Sequence, residues 1–195
     1  MKRIAIFASG SGTNAENLIN YFKNNPSVSV SIILSNKPDA FVLQRALNHN
    51  IKAFVFNRNE FYDAGTVDEI LANNKIDYIV LAGFLWLMPP RLIQKYLDRI
   101  VNIHPALLPK YGGKGMYGMK VHEAVIQNKE KLSGITIHVV NENYDEGKII
   151  FSASCSIEPG ETPETLAAKI HQLEYKHFPR VIERWISGEQ DQLGK

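Results

Sequence analysis

Residues 3–14 read Arg-Ile-Ala-Ile-Phe-Ala-Ser-Gly-Ser-Gly-Thr-Asn. The apolar run over 3–8 predicts a strand buried on both faces. The spacing of Leu18, Ile19 and Phe22 predicts a helix over 14–23. A strand, a glycine-containing turn and a helix in this order are typical of the first unit of an open α/β sheet, where ligands bind beyond the carboxyl ends of the strands.

The turn between this strand and helix favours an anion. Gly10 and Gly12 allow close approach of the backbone, and the amides at the start of the helix attract negative charge. Ala15 stands at the third glycine position of the dinucleotide fingerprint, and the Walker lysine is absent, so the pattern indicates a single phosphate. The alternative is a simple connection in which Thr13 or Asn14 caps the helix.

The remainder of the chain extends this alternation. Further buried strands are predicted over 28–34, 53–56, 78–82 and 100–103, with helices over 39–48, 60–73 and 92–96. Within 39–48, the inward-facing side chains are expected to be Phe41, Leu43, Ala46 and Leu47. Such alternation predicts a Rossmann-like, doubly wound α/β fold with a mostly parallel sheet and helices on both faces.

The pattern changes after residue 104. Residues 105–118 contain four glycines and two prolines and are predicted to form a loop. Two strands, over 135–140 and 148–156, then suggest a hairpin-like antiparallel return. A helix over 162–187 closes the chain, with Thr162 and Glu164 as its start signature and Pro179 expected to kink or break it. A single domain over 1–195 is predicted.

Composition excludes several classes of protein. The 195 residues include 22 basic and 20 acidic side chains, a net charge of +2, which gives no electrostatic reason to expect a nucleic-acid partner. Cys155 is the sole cysteine, so an intrachain disulfide is impossible. No apolar run approaches the ~20 residues of a membrane helix, and the run over 4–8 is too short for a signal peptide. A soluble, cytoplasmic protein is expected, with no membrane partner.

The segment Asn102-Ile103-His104-Pro105 carries the strongest candidate for chemistry. Strand alternation places Asn102 and His104 on one face, where a carboxamide and an imidazole can polarise a carbonyl group. Asp145, in a turn after the next strand, is a candidate partner, although aspartate is also an ordinary turn residue before glycine. Four other histidines are predicted to be structural or at the surface, and none has convincing zinc spacing, so no metal is expected: His122, His138, His171 and His177.

Five stretches together resemble the phosphoribosylglycinamide formyltransferases, the folate-dependent enzymes of purine synthesis. They are IAIFASGSGTN, IILSNKPDA, IVLAGFLWLMPP, IVNIHPALLPKYGGKG and NYDEGKII, in order over essentially the whole chain. The resemblance implies transfer of a formyl group from 10-formyltetrahydrofolate to the amine of 5-phosphoribosylglycinamide. It also implies a phosphate-binding half over 1–100 and a catalytic, folate-lining half over 101–195, in a monomer or weak homodimer.

The resemblance also implies roles for individual residues. Asn102, His104 and Asp145 would be catalytic: His104, held protonated by Asp145, would stabilise the oxyanion and then protonate the departing folate nitrogen, and Asn102 would donate to the same oxygen. The other implied contacts are Gly12, Thr13 and Asn14 for the phosphate, Glu174 and His171 for the ribose or glycinamide end, and Leu85, Trp86, Leu87, Met88, Asn102, Asn141 and Tyr144 for the folate. No metal is implied.

This sequence departs from the family pattern at three positions. Ala106 stands where many members have serine, Trp86 stands where arginine is common, and Arg58 is shifted by one residue from the folate-side arginine. The alternatives are another folate formyltransferase or hydrolase, or a non-catalytic nucleotide-binding module. A dinucleotide-dependent oxidoreductase is disfavoured because Ser35-Asn36-Lys37 stands where an acidic residue is expected.

Overall fold

The computed structural model describes residues 1–189, which divide into two compact units, 1–101 and the part that begins at Asn102. Seven strands form one mixed sheet in the order β3-β2-β1-β4-β5-β6-β7, numbered along the chain. Among residues 1–189, no helix has the length and apolar character needed to cross a membrane.

The first unit alternates strands and helices. Its elements are β1 (Lys2–Phe7), α1 (Thr13–Phe22), β2 (Val28–Ser35), α2 (Phe41–Asn48), β3 (Lys52–Val55), α3 (Arg58–Tyr62), α4 (Thr66–Asn73), β4 (Tyr78–Leu81) and α5 (Pro90–Lys95). β1 pairs in parallel with β2 and β4, and β2 pairs in parallel with β3. The apolar side chains of β1 are fully buried, which explains why its sequence does not alternate.

The second unit contains the antiparallel part of the sheet. Its elements are β5 (Ile100–His104), whose first two residues belong to the first unit, then α6 (Met119–Gln127), β6 (Leu132–Val139), β7 (Ile149–Ser156) and α7 (Pro163–Ser187). β6 and β7 pair antiparallel from Leu132 opposite Ser156, which confirms the hairpin-like return. The predicted fold class, a mostly parallel α/β sheet with antiparallel strands toward the C-terminal side, is therefore confirmed.

Two predicted helices differ from the structure. The helix predicted over 60–73 is two helices, α3 and α4, because Gly65 takes a left-handed conformation (φ 72°) and starts α4. Pro179 does not break the last helix, which runs from Pro163 to Ser187 with Pro179 buried inside it. The burial of its apolar face outweighs the loss of one backbone hydrogen bond. The sequence analysis also missed α6.

The predicted inward face of α2 is wrong at two positions. Phe41 is 56% exposed and Leu47 is 67% exposed, while Val42 and Ala46 are fully buried. The reason is a contact distant in sequence: the backbone amide of Val42 donates to the carbonyl of Gly10, so this face of α2 packs against the glycine turn. Tertiary contact, not the apolar count, sets the rotation of the helix.

Candidate active site

The glycine turn between β1 and α1 is tightly packed at one residue. Gly12 is the N-cap of α1 with φ 73°, and no side chain caps the helix there. A Cβ on Gly12 would lie 2.4 Å from Cγ2 of Val42, so a side chain does not fit. The first amides of a helix have no intrahelical acceptor, and those of Thr13 and Asn14 therefore supply donors beside this glycine.

Ser9 connects this turn to two neighbouring loops. Its hydroxyl donates to Oδ1 of Asn36 (2.7 Å) and accepts from the amide of Leu85 (3.1 Å). Its own amide donates to the carbonyl of Gly83 (3.0 Å). The loops that follow β1, β2 and β4 are thus joined at the edge where an open α/β sheet binds its ligands.

In the second unit, the structure brings together the three residues predicted to be catalytic. Nδ1 of His104 lies 3.5 Å from Oδ2 of Asp145, and Nδ2 of Asn102 lies 3.4 Å from Oδ1 of the same carboxylate. The imidazole is 4% exposed. The convergence predicted for an amide, an imidazole and a carboxylate is present.

The loop at 105–118 orients both His104 and Asp145 through its backbone. Nε2 of His104 lies 2.8 Å from the carbonyl oxygen of Tyr111, and because a carbonyl only accepts, Nε2 carries a hydrogen. The amide of Gly113 donates to Oδ2 of Asp145 (2.9 Å). Nδ1 of His104 is therefore the nitrogen that faces the carboxylate.

The pKa values of His104 and Asp145 are both shifted from their ordinary values. Burial lowers the pKa of His104, and the nearby carboxylate of Asp145 opposes this without overcoming it. Burial raises the pKa of Asp145, but the neighbouring imidazoles of His138 and His104 and the Gly113 amide outweigh it, so the net pKa is lowered. The lowered pKa of His104 favours the neutral imidazole, and the implied role of Asp145 in holding His104 protonated stays a prediction.

His138 is a member of the cluster that sequence reasoning missed. It is buried in β6, and its Nε2 lies 3.2 Å from Nδ2 of Asn102 and 3.5 Å from Oδ1 of Asp145. Its Nδ1 lies 3.2 Å from the carbonyl of Val139, so Nδ1 donates and Nε2 accepts from Asn102. Its place near the end of a strand, like that of His104, was the available signal.

The side-chain amide of Asn102 has both of its hydrogens directed inward. One points to Nε2 of His138 at 3.2 Å and the other to Asp145 at 3.4 Å. The longer contact is the weaker one. Donation to a substrate oxygen, as the family resemblance implies, therefore requires Asn102 to exchange its contact with Asp145.

The residues predicted to line the folate belong to both units. In the first, the Tyr62 hydroxyl donates to the carbonyl of Leu87 (2.9 Å), and the Trp86 ring stacks on Tyr62 with centroids 6.1 Å apart. The Arg58 guanidinium lies 5.3 Å from the Tyr62 ring centroid and 5.5 Å from that of Trp86. Met88 is buried.

The remaining predicted positions lie in the second unit. Oδ1 of Asn141 accepts from the amide of Asn143 (3.0 Å), and Tyr144 is half-buried beside Asp145 in the chain. Glu174 is buried in α7, while His171, on the same helix, is exposed and stacks on Tyr175. Ala106, which stands where many family members have serine, is fully buried, and its carbonyl accepts from the Thr136 hydroxyl (2.7 Å).

A metal was not expected, and within residues 1–189 no group of three or more His, Cys, Asp or Glu side chains is placed to bind one. The cluster of Asn102, His104, His138 and Asp145 offers hydrogen-bond donors, one carboxylate and two imidazoles. That set is suited to acid–base work at a carbonyl group.

Comparison with known proteins identifies the family. The model of the formyl transferase family matches residues 2–182. This chain belongs to that family. Phosphoribosylglycinamide formyltransferase of Bacillus subtilis is 34% identical over 191 residues, 95% of each chain. The crystal structure of phosphoribosylglycinamide formyltransferase from Bacillus halodurans superposes with a TM-score of 0.86 at 36% identity, covering 100% of both chains.

Some relatives of this chain are longer. The chloroplastic phosphoribosylglycinamide formyltransferase of Arabidopsis thaliana is 37% identical over 188 residues, which are 93% of this chain and 64% of the plant protein. The chain spans 60% of the Vigna unguiculata relative and 14% of the trifunctional purine biosynthetic protein adenosine-3 of Drosophila melanogaster. A formyltetrahydrofolate deformylase from Pseudomonas syringae, at 21% identity and a TM-score of 0.83, shares the fold.

Proposed function

We propose that this chain transfers the formyl group of 10-formyltetrahydrofolate to the amine of 5-phosphoribosylglycinamide. The observation that carries the proposal is the convergence of Asn102, His104 and Asp145 in a member of the formyl transferase family. The names of relatives that match this chain over nearly their full length point to the same reaction.

The reaction demands charge stabilisation and one proton transfer. The amine nitrogen attacks the formyl carbon, its C–O double bond becomes an oxyanion, and the bond from that carbon to the folate nitrogen then breaks. The amine loses a proton and the folate nitrogen gains one, so no redox partner is required. A single well-placed donor to such an oxyanion lowers the activation barrier by about 2.7–4 kcal/mol.

The site residues divide this work. A neutral His104 takes up a proton as the amine attacks, because the facing carboxylate of Asp145 stabilises the imidazolium. The imidazolium then stabilises the oxyanion and gives the proton to the folate nitrogen. Asn102 donates to the same oxygen once it releases Asp145, and His138 keeps the other hydrogen of the amide in place.

The other residues are proposed to bind the substrates. Gly12, Thr13 and Asn14 bind the phosphate through the start of α1, which suits an anion. Glu174 and His171 contact the ribose or glycinamide end. The backbone of 85–88 in the first unit, held by Tyr62, is proposed to contact the folate. In the second unit, the turn that contains Asn141 and Tyr144 is proposed to do the same.

A two-substrate assay tests this function. Purified protein with both substrates is expected to show the absorbance change that accompanies loss of the formyl group from the folate, and formylated product by mass spectrometry. Folate turnover without the amine substrate would instead indicate a hydrolase, and no turnover with both substrates would contradict the proposal.

The variant His104→Ala tests the role of the imidazole. It is expected to abolish turnover while phosphoribosylglycinamide binding, measured by calorimetry, stays nearly unchanged. His177→Ala is the matched control, since His177 lies on α7 against Phe151 and outside the cluster. Equal losses of binding and rate in His104→Ala would show that its role is structural.

A further inference from the structure

Arg45 of α2 makes three contacts, one with the glycine turn, one with α1 and one within α2. Its Nε donates to the carbonyl of Ser11 at 2.8 Å. Its guanidinium forms an ion pair with Glu16 in the first turn of α1, and it lies over the Phe41 ring, 5.0 Å from the centroid. One planar cation thus connects the residue before Gly12 with the helix after it.

The backbone of α2 supports the same turn. The amide of Val42 donates to the carbonyl of Gly10 (3.1 Å), and Val42 packs where a Cβ of Gly12 would lie. With Arg45 on the carbonyl of Ser11, the outward carbonyls of two turn residues are held by one helix. Peptide planes fixed in this way also fix the amides on their other side, which belong to the following residues.

Arg45 also compensates a charge that works against an anion site. Glu16 lies in the first turn of α1, so its carboxylate occupies the end of the helix that attracts anions. A phosphate bound at the same end is repelled by that carboxylate. The Arg45 guanidinium pairs with Oε2 of Glu16, and Nε2 of His49, at the C-cap of α2, lies 3.3 Å from Oε1.

We propose that Arg45 is a positioning residue for the phosphorylated substrate. It holds the carbonyl of Ser11 so that the amides after it face the phosphate, and it neutralises Glu16 beside them. This inference rests on the proposed function in placing the phosphate at residues 12–14, and it adds a residue that does not itself touch the substrate.

The main test replaces the guanidinium without removing the hydrophobic stem. In Arg45→Met, KM for phosphoribosylglycinamide is expected to rise about tenfold, which corresponds to about 1.4 kcal/mol. The value of kcat and KM for the folate are expected to stay within twofold of wild type, at about the precision of such assays. Arg45→Lys keeps the charge but not the planar fork of donors, and its KM for phosphoribosylglycinamide is expected to lie between those of wild type and Arg45→Met.

A matched control and a second substitution separate the positioning of the turn from the neutralisation of Glu16. Arg99 also donates to a backbone carbonyl, that of Lys95 (2.9 Å), and lies over an aromatic ring, that of Tyr96 (5.5 Å), but it precedes β5 and does not contact the turn. Arg99→Met is expected to leave both KM values unchanged. Adding Glu16→Gln to Arg45→Met removes the uncompensated carboxylate and is expected to recover part of the lost affinity.

The readout that decides the inference is dependence on the phosphate. The dephosphorylated glycinamide ribonucleoside is expected to react equally well with wild type and Arg45→Met. Equal losses for both substrates, or no change in KM for the phosphorylated one, would overturn the inference.

Calorimetry with ribose 5-phosphate separates this inference from the proposed function. Wild type is expected to bind this probe about tenfold more tightly than Arg45→Met, which is about 1.4 kcal/mol. If wild type binds the probe more tightly than Arg45→Met but shows no formyl transfer, the proposed function is refuted and the inference about Arg45 stands. No binding of the probe to wild type would overturn the inference.

Discussion

Gly12→Ala tests whether the turn before α1 is as closely packed as the structure shows. Gly12 combines two restrictions: a left-handed backbone (φ 73°), and a neighbour, Val42, whose Cγ2, Cβ and Cα would lie 2.4, 2.5 and 2.8 Å from the new Cβ. The last of these atoms belongs to the backbone of α2 and cannot rotate away. The substitution therefore strains the turn and displaces α2.

The expected loss of stability follows from these two terms. A left-handed backbone costs an L-residue about 1–2 kcal/mol. Overpacking a filled site by one methyl group costs about 1–3 kcal/mol. Together they predict a loss of about 2–5 kcal/mol in the free energy of unfolding, or a fall in melting temperature of roughly 4–20 °C for a chain of this length.

Two other glycines provide controls for the separate terms. Gly65, the N-cap of α4, has φ 72° but nothing within 4 Å of an added Cβ, so Gly65→Ala carries the backbone strain alone. Gly10 has no positive φ and nothing within 4 Å, so Gly10→Ala carries neither. Urea unfolding followed by circular dichroism is expected to rank the losses Gly12→Ala, then Gly65→Ala, then Gly10→Ala.

Two outcomes would refute the packing argument. If Gly12→Ala loses no more stability than Gly65→Ala, Val42 yields without cost and the close approach is not tight. If Gly10→Ala is as destabilised as Gly12→Ala, the two glycines do not differ as the structure requires. Binding of ribose 5-phosphate is expected to weaken in Gly12→Ala, since the amides at the start of α1 move with the turn.

Three further predictions concern titration and capping. Asp145→Asn removes the charge that raises the pKa of His104, so this pKa is expected to fall further, as measured by NMR titration. The rate of formyl transfer is expected to drop about 10²–10⁴-fold. An unchanged rate would exclude the His104 and Asp145 pair from catalysis. Burial lowers the pKa of His122 to about 4, so the stability it contributes as a neutral group is complete above the unfolded pKa of 6.5 and is lost as pH falls toward 4. His122→Phe is therefore expected to reduce the fall in the urea unfolding midpoint between pH 7 and 5. The same dependence of the midpoint on pH in variant and wild type would contradict this. Asn57→Ala removes the capping box in which Asn57 and Glu60 exchange hydrogen bonds of 3.0 and 2.7 Å, and is expected to cost about 1 kcal/mol of stability. Amide hydrogen exchange in α3 is expected to become faster. Unaltered exchange would contradict the prediction.

Most strands and helices were readable from local pattern, although α6 and the division of the predicted helix over 60–73 into α3 and α4 were missed. Apolar runs such as that of β1, and the helical spacing of Leu18, Ile19 and Phe22, depend on residues close in the chain, and the structure buries all of them. The glycine turn and the Asn102 and His104 pair were likewise found from spacing. Where a tertiary contact competes with the pattern, as at Phe41 of α2, the prediction was wrong.

The chain by itself determined which chemical groups are present and on which strand ends they stand. Tertiary structure alone decided that His138 joins Asn102 and Asp145, that the Tyr111 carbonyl selects the protonated nitrogen of His104, and that burial outweighs the carboxylate in setting the pKa of that imidazole. The physical reason is that hydrogen bonding and desolvation act over a few ångströms in space. Residues separated by more than 30 positions, as Asn102 and His138 are, come within that range only when the fold closes.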